Sequence, residues 1–115
     1  MKLTIREFLT AAGRNPYRDW IGNLEVTVRA RVQARVLRLE TGNPGDCRAL
    51  GGGIWEARLM FGPGYRIYFG RDGEMLLILL TGGTKKRQQR DIDAAKEFWR
   101  DYRQGKRARR RSGDD

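Results

Sequence analysis

Residues 54 to 80 decide most of what this chain can fold into, because three strand-length apolar blocks stand there with only short turn signals between them. In IWEARLMF, Trp55, Ala57, Leu59 and Phe61 alternate with Glu56, Arg58 and Met60; in YRIYF, Tyr65, Ile67 and Phe69 alternate with Arg66 and Tyr68. Strand side chains alternate between faces, so each block has one core face and one less apolar face. That places Arg66 away from the core. EMLLILL is apolar on both faces, as a central strand is, and Arg71-Asp72-Gly73 is the turn that leads into it.

Facing also constrains the first turn. Paired residues of an antiparallel hairpin share a face, so matching the two core faces requires an odd number of residues between the last pair. A Gly62-Pro63-Gly64 loop closed by Phe61 and Tyr65 meets that condition. It pairs Met60 with Arg66 and Arg58 with Tyr68, making Arg58, Arg66 and Tyr68 neighbours on the less apolar face.

Upstream, Leu3 and Ile5 alternate with Lys2, Thr4 and Arg6 as a short first strand, ended by Gly13-Arg14-Asn15-Pro16. Asn15 can cap a helix whose first residue is Pro16 and whose apolar positions are Tyr17, Trp20, Ile21 and Leu24. LEVTVRARVQARVLRLE fits strand alternation and a helical stripe (Leu24, Val28, Val32, Val36, Leu39) alike; its length exceeds the usual strand of ~5–6 residues, so helix is the reading. Gly42 supplies its C-terminal cap and Pro44 prevents continuation. LGGG, from Leu50, reads as a loop. A closing amphipathic helix carries Ile92, Ala95, Phe98, Trp99 and Tyr102 at three- and four-residue spacing. The order β-α-α-β-β-β-α describes one α+β domain over residues 1–104, and the basic segment 105–115 is expected to be a disordered tail.

Charge narrows the partners. Twenty-four Lys and Arg against 14 Asp and Glu give a formal net charge of +10, an excess that favours a polyanion, nucleic acid first and anionic membrane second. The longest apolar run, Met75 to Leu80, is far short of the ~20 residues a membrane span needs. Arg6 and Glu7 interrupt what would be a signal peptide's apolar stretch, so a cytoplasmic protein with no membrane partner is expected. One cysteine and no histidine argue against an internal disulfide, a metal site or any cofactor. Acid–base chemistry falls to Arg, Lys, Tyr or carboxylates.

Four patterns together, RARVQARVLRLETGNPGD, GGGIWEARLMFGPGYRIYF, LLILLTGGTKKRQQRDI and DAAKEFW, resemble the RelE/HigB superfamily of type II toxins, in its branch of addiction-module killer proteins. The likeness covers about residues 1–100. It implies a RelE-like fold, a mainly antiparallel four-stranded sheet with helices packed on one face. It also implies a growth-inhibiting toxin, commonly a ribosome-dependent endoribonuclease that cuts translated mRNA, silenced by a cognate antitoxin, here expected to be a helix-turn-helix protein of the same operon. Arg66, after Gly64-Tyr65, matches the arginine that contacts the scissile phosphate in such nucleases. Arg58 matches a basic position of the preceding strand, and Lys85 a basic catalytic position after the last strand.

Cleavage through an adjacent 2′-hydroxyl needs an oriented nucleophile, stabilised charge at phosphorus and proton transfer. Arginine's planar fork suits the second requirement, which makes Arg66 and Arg58 the expected clamp. Proton transfer falls to Lys85 or Glu56, while Tyr68 orients the nucleophile or stacks on a base. Lys86, Arg87 and Arg90 are RNA contacts or a solvated charged stretch. Two other readings stay open: a ParE-like toxin that poisons DNA gyrase by binding, and a non-catalytic nucleic-acid-binding module.

Overall fold

A computed structural model describes residues 2–111 of the chain, with side chains described to residue 107. Five strands, β1 (Thr4–Glu7), β2 (Cys47–Gly51), β3 (Ile54–Leu59), β4 (Tyr65–Asp72) and β5 (Leu76–Thr84), form one sheet in the order β1-β5-β4-β3-β2. Neighbours are antiparallel except β1 and β5, which run parallel. The sheet is therefore five-stranded and mixed, and the expectation of four strands missed β2. CRALG carries no strong strand signal, with both Arg48 and Ala49 exposed at the sheet edge. It becomes a strand by laddering onto β3, Cys47 opposite Ala57 and Arg48 opposite Glu56.

The helices begin and end where local chemistry dictates. Asn15 accepts a bond from the Arg18 N–H at 2.9 Å and caps α1 (Pro16–Gly22), with Pro16 in the first turn where no N–H is needed. The ambiguous stretch is helix α2 (Val26–Glu40). It closes with two reverse bonds, Gly42 N–H to the Leu39 carbonyl and Asn43 N–H to the Arg38 carbonyl, around Gly42 at φ 85°. That left-handed turn is the conformation for which glycine carries no Cβ penalty. A single 3₁₀ turn, Lys85–Arg87, leads from β5 into α3 (Gln88–Arg111).

Helices cover both faces of the sheet, which corrects the one-face expectation. Tyr17 and Ile21 of α1 and Val32 and Leu39 of α2 pack on Ala57, Leu59, Ile67, Phe69, Leu77 and Leu79. Ala95 and Trp99 of α3 pack on the other face, against Ile54, Tyr68, Ile78 and Leu80. The less apolar face of the hairpin is thus a second buried layer. One strand glycine on each face permits the close approach of a helix: a Cβ on Gly70 would stand 2.3 Å from the Trp99 ring under α3, and one on Gly82 would stand 2.2 Å from Trp20 of α1 on the opposite face. Each indole lies against bare backbone.

The β3–β4 turn is longer than three residues. Leu59 pairs with Tyr65, so residues 60–64 form a five-residue loop, and Arg58 stands opposite Arg66, Glu56 opposite Tyr68. The odd length that facing requires is kept; a shift of two residues moves the partners without flipping a side chain. The ring of Phe61 leaves the ladder to pack on Tyr65 at 5.2 Å and under Arg31, whose guanidinium carbon is 3.6 Å from its centroid. Helix α3 also runs past residue 104 into the segment expected to be disordered. Lys106 anchors it, its Nζ 2.6 Å from Asp72 Oδ1, and Lys, Arg and Ala are good helix formers. Residues 112–115 of that segment lie outside the described residues.

Candidate functional site at the start of α3

The register brings three of the predicted residues into one buried cluster. Glu56 on β3 is fully enclosed, Tyr68 lies directly across from it on β4, and Arg66 follows two residues away on the same face. Arg66 donates to the Gly64 carbonyl at 2.8 Å and holds its Nε 3.6 Å from Glu56 Oε2. The carboxylate has two further partners that sequence reading missed. Gln88, at the first position of α3, donates to Oε2 at 2.9 Å, and Arg48 on the edge strand reaches Oε1 at 3.4 Å from a half-exposed position. Neither had a sequence signal, since Gln88 is one polar residue in a polar run and Arg48 lies in the unrecognised strand.

Asp91 closes the cluster from above. Gly83, opposite Arg66 on β5, leaves room for it, because a Cβ there would fall 1.8 Å from Asp91 Oδ2. Burial pushes the Asp91 carboxyl up, against the opposing pull of Arg87 and Arg90. Burial likewise pushes the Tyr68 phenol up, reinforced by the Glu56 and Asp91 carboxylates. Tyr68 is accordingly a neutral hydroxyl at physiological pH and no base. Glu56 Oε1, Arg66 Nε, the Tyr68 hydroxyl and Asp91 Oδ2 are all buried without a well-formed hydrogen bond. Under-satisfied buried polar groups cost stability, and such concentrations mark places where structure is held for another purpose.

The remaining predicted residues lie around this cluster and not within it. Arg58 is turned to Asp46, its Nη2 3.0 Å from Oδ1, so the expected two-arginine clamp is not formed even though Arg58 and Arg66 are paired residues. Lys85 is exposed, with its N–H bonded to the Gly64 carbonyl at 2.9 Å. A Cβ on Gly64 would stand 3.1 Å from Arg66 Nη1 and 3.3 Å from Lys85 Cβ, so the two cationic residues share the space over that glycine. Lys86, Arg87 and Arg90 are exposed on the 3₁₀ turn and the first turn of α3. The outcome is a buried, carboxylate-held arginine beside solvent-facing cations, an arrangement able to stabilise negative charge at a bound phosphate. Among the described residues, no group of three or more His, Cys, Asp or Glu side chains is placed to hold a metal ion, and no helix is long and apolar enough to cross a membrane.

Comparison with known proteins places the chain in a family. The chain is 40% identical over 79 residues to an uncharacterized protein of Haemophilus influenzae, a match covering 68% of this chain and 80% of that protein. Residues 19–100, which run from within α1 to the middle of α3 and include every residue of the cluster, match the model of the phage-derived protein Gp49-like family (DUF891). The chain therefore belongs to the Gp49-like family, a toxin-like family of addiction modules related to RelE-type toxins.

Proposed function

We propose that this protein is the toxin of a type II toxin–antitoxin pair and that it acts by cutting translated mRNA at the Arg66 face. The observation that carries this reading is Arg66 itself, a buried arginine fixed by Glu56 and Gly64 beside the exposed Arg48 and Lys85. Arg66 and Arg48 hold the scissile phosphate, Arg48 replacing Arg58 in the expected clamp. The substrate's 2′-oxygen bonds to phosphorus as the bond to the 5′-oxygen breaks; Lys85 gives the leaving oxygen its proton, and the 2′-hydroxyl proton passes to solvent. Glu56 and Tyr68 are too deeply enclosed to touch RNA. They position Arg66. A ribosome that orients the message supplies the in-line geometry, an effect worth ~7–11 kcal/mol in well-aligned systems.

An addiction-module toxin has an antitoxin partner, and a helix-turn-helix protein encoded beside this one fits that role. The test is to induce the protein alone and map mRNA 5′ ends with and without a block on translation initiation. New in-frame ends confined to translated messages are expected. Growth arrest with intact mRNA would overturn the reading, and gyrase-trapped double-strand breaks in the same cells would replace it with gyrase poisoning.

A further inference from the structure

Helix α3 sorts its exposed charges by sign. At 3.6 residues per turn, Lys96, Arg100, Arg103 and Arg107 fall within an arc of about 60°, while Asp93, Glu97 and Asp101 occupy the arc beside it. Successive residues within each row carry like charge, which weakens a helix, and opposite charges three apart occur only where the rows meet, at Asp93–Lys96 and Glu97–Arg100. The four cations are exposed and form no ion pair among the described residues. They line one wall of a groove of about 560 Å³ whose other wall is the β2–β3 hairpin at Gly51 and Gly52. Those glycines lie at φ 91° and 66° with open space where a Cβ would be, and Leu50 and Ile54 add apolar surface to the same wall, so no acidic side chain lines the groove opposite the cations. Arg48, which reaches the Glu56 carboxylate, is on the same strand β2.

We propose that this groove binds the phosphate backbone of a single RNA strand and leads it to the Arg66 face. The inference rests on the reading of the protein as an RNA-acting toxin. From Lys96 to Arg107 the row is about 16 Å long at 1.5 Å per residue, room for roughly five stacked nucleotides at ~3.4 Å each. Backbone binding by a cationic row carries no base specificity, which suits a site that must accept many messages.

The test is fluorescence anisotropy of the full chain with a labelled single-stranded oligonucleotide whose 2′ positions are O-methylated, so that binding is read without cleavage. Each phosphate neutralised on a single strand contributes about −0.7 to the slope of log affinity against log salt. The K96Q/R100Q/R103Q variant is expected to flatten that slope by about 2, and R100Q alone by about 0.7. The D93N/E97Q/D101N variant, altered on the adjoining acidic row, should keep the wild-type slope. Unchanged slopes in the basic-row variants would overturn the groove, as would equal flattening by the acidic-row variant or tight binding of an acidic peptide in place of RNA. Intact mRNA after induction would remove the cleavage reading and leave this measurement standing, whereas unchanged slopes would remove the groove and leave cleavage standing.

Discussion

Replacing Arg66 by Met removes a charge from a place where its partner cannot follow it into water. Glu56 is fully enclosed, and Arg66 Nε lies 3.6 Å from it. At an effective dielectric of ~20 that separation corresponds to about 4–5 kcal/mol of attraction. Arg48 remains 3.4 Å from the same carboxylate but is half exposed, so it compensates only in part. Breaking one side of a buried pair costs ~3–5 kcal/mol in general, and about 3 kcal/mol is expected here. A domain of this size has only ~5–15 kcal/mol of stability in total. With a urea m-value of about 1.5 kcal/mol/M the unfolding midpoint should fall by about 2 M. Glu56→Gln should cost a similar amount, since it strands Arg66. The double variant removes both charges and should lose far less than the sum, a coupling of about 2 kcal/mol or more in the cycle. A midpoint that barely moves in Arg66→Met, or additive losses in the double variant, would refute the claim that this pair is coupled and buried. The result also decides how toxicity data are read. The sequence-level expectation placed Arg66 away from the core, where truncation to Ala would be harmless to folding; its burial means that lost toxicity in Arg66→Ala requires a stability measurement beside it. Arg66→Lys keeps the charge and loses the fork, separating the two effects.

Gly82→Ala should destabilise by more than the ~1–3 kcal/mol of ordinary overpacking, because its Cβ would enter the Trp20 ring at 2.2 Å; a shift in tryptophan fluorescence together with a lowered Tm checks it. Asp91 has a raised pKa in the folded state, so its contribution is fully present below the unfolded value of ~3.9 and is lost as pH rises through the higher folded value. Asp91→Asn should therefore be more stable than the parent at neutral pH and indistinguishable from it below about pH 3.9; a variant less stable at neutral pH would contradict the sign. Asp72→Asn takes the charge from the anchor of Lys106 and should reduce far-UV helicity with little change in Tm, whereas unaltered helicity would show that the last turns of α3 hold without it.

Much of the architecture was legible because it depends on facing and on local backbone chemistry. The alternation of Trp55, Ala57 and Leu59 against Glu56 and Arg58 assigned faces correctly, and the odd loop length survived even though the loop grew from three residues to five. Asn15-Pro16 and Gly42 marked helix ends for reasons contained in a few residues. What alternation could not say is whether a less apolar face stays in water. EMLLILL, apolar on both sides, already required both faces to be covered, and the strand glycines Gly70, Gly82 and Gly83 marked close approach by Trp99, Trp20 and Asp91. Those signals point outward from the strand to a partner that a single strand does not identify.

The same division runs through the candidate site. Which residue types it needed, and that Arg66 and Tyr68 would share a face with Glu56, followed from the sequence, since period two is a property of every extended chain. That Glu56 is sealed, that Arg66 is held by it, that Arg58 turns away to Asp46, and that Arg48, Gln88 and Asp91 complete the cluster were decided only in three dimensions. The reason is physical: burial and ion pairing depend on distances between segments tens of residues apart. The placement of α3 over the second face sets those distances, and no local pattern in the chain encodes them.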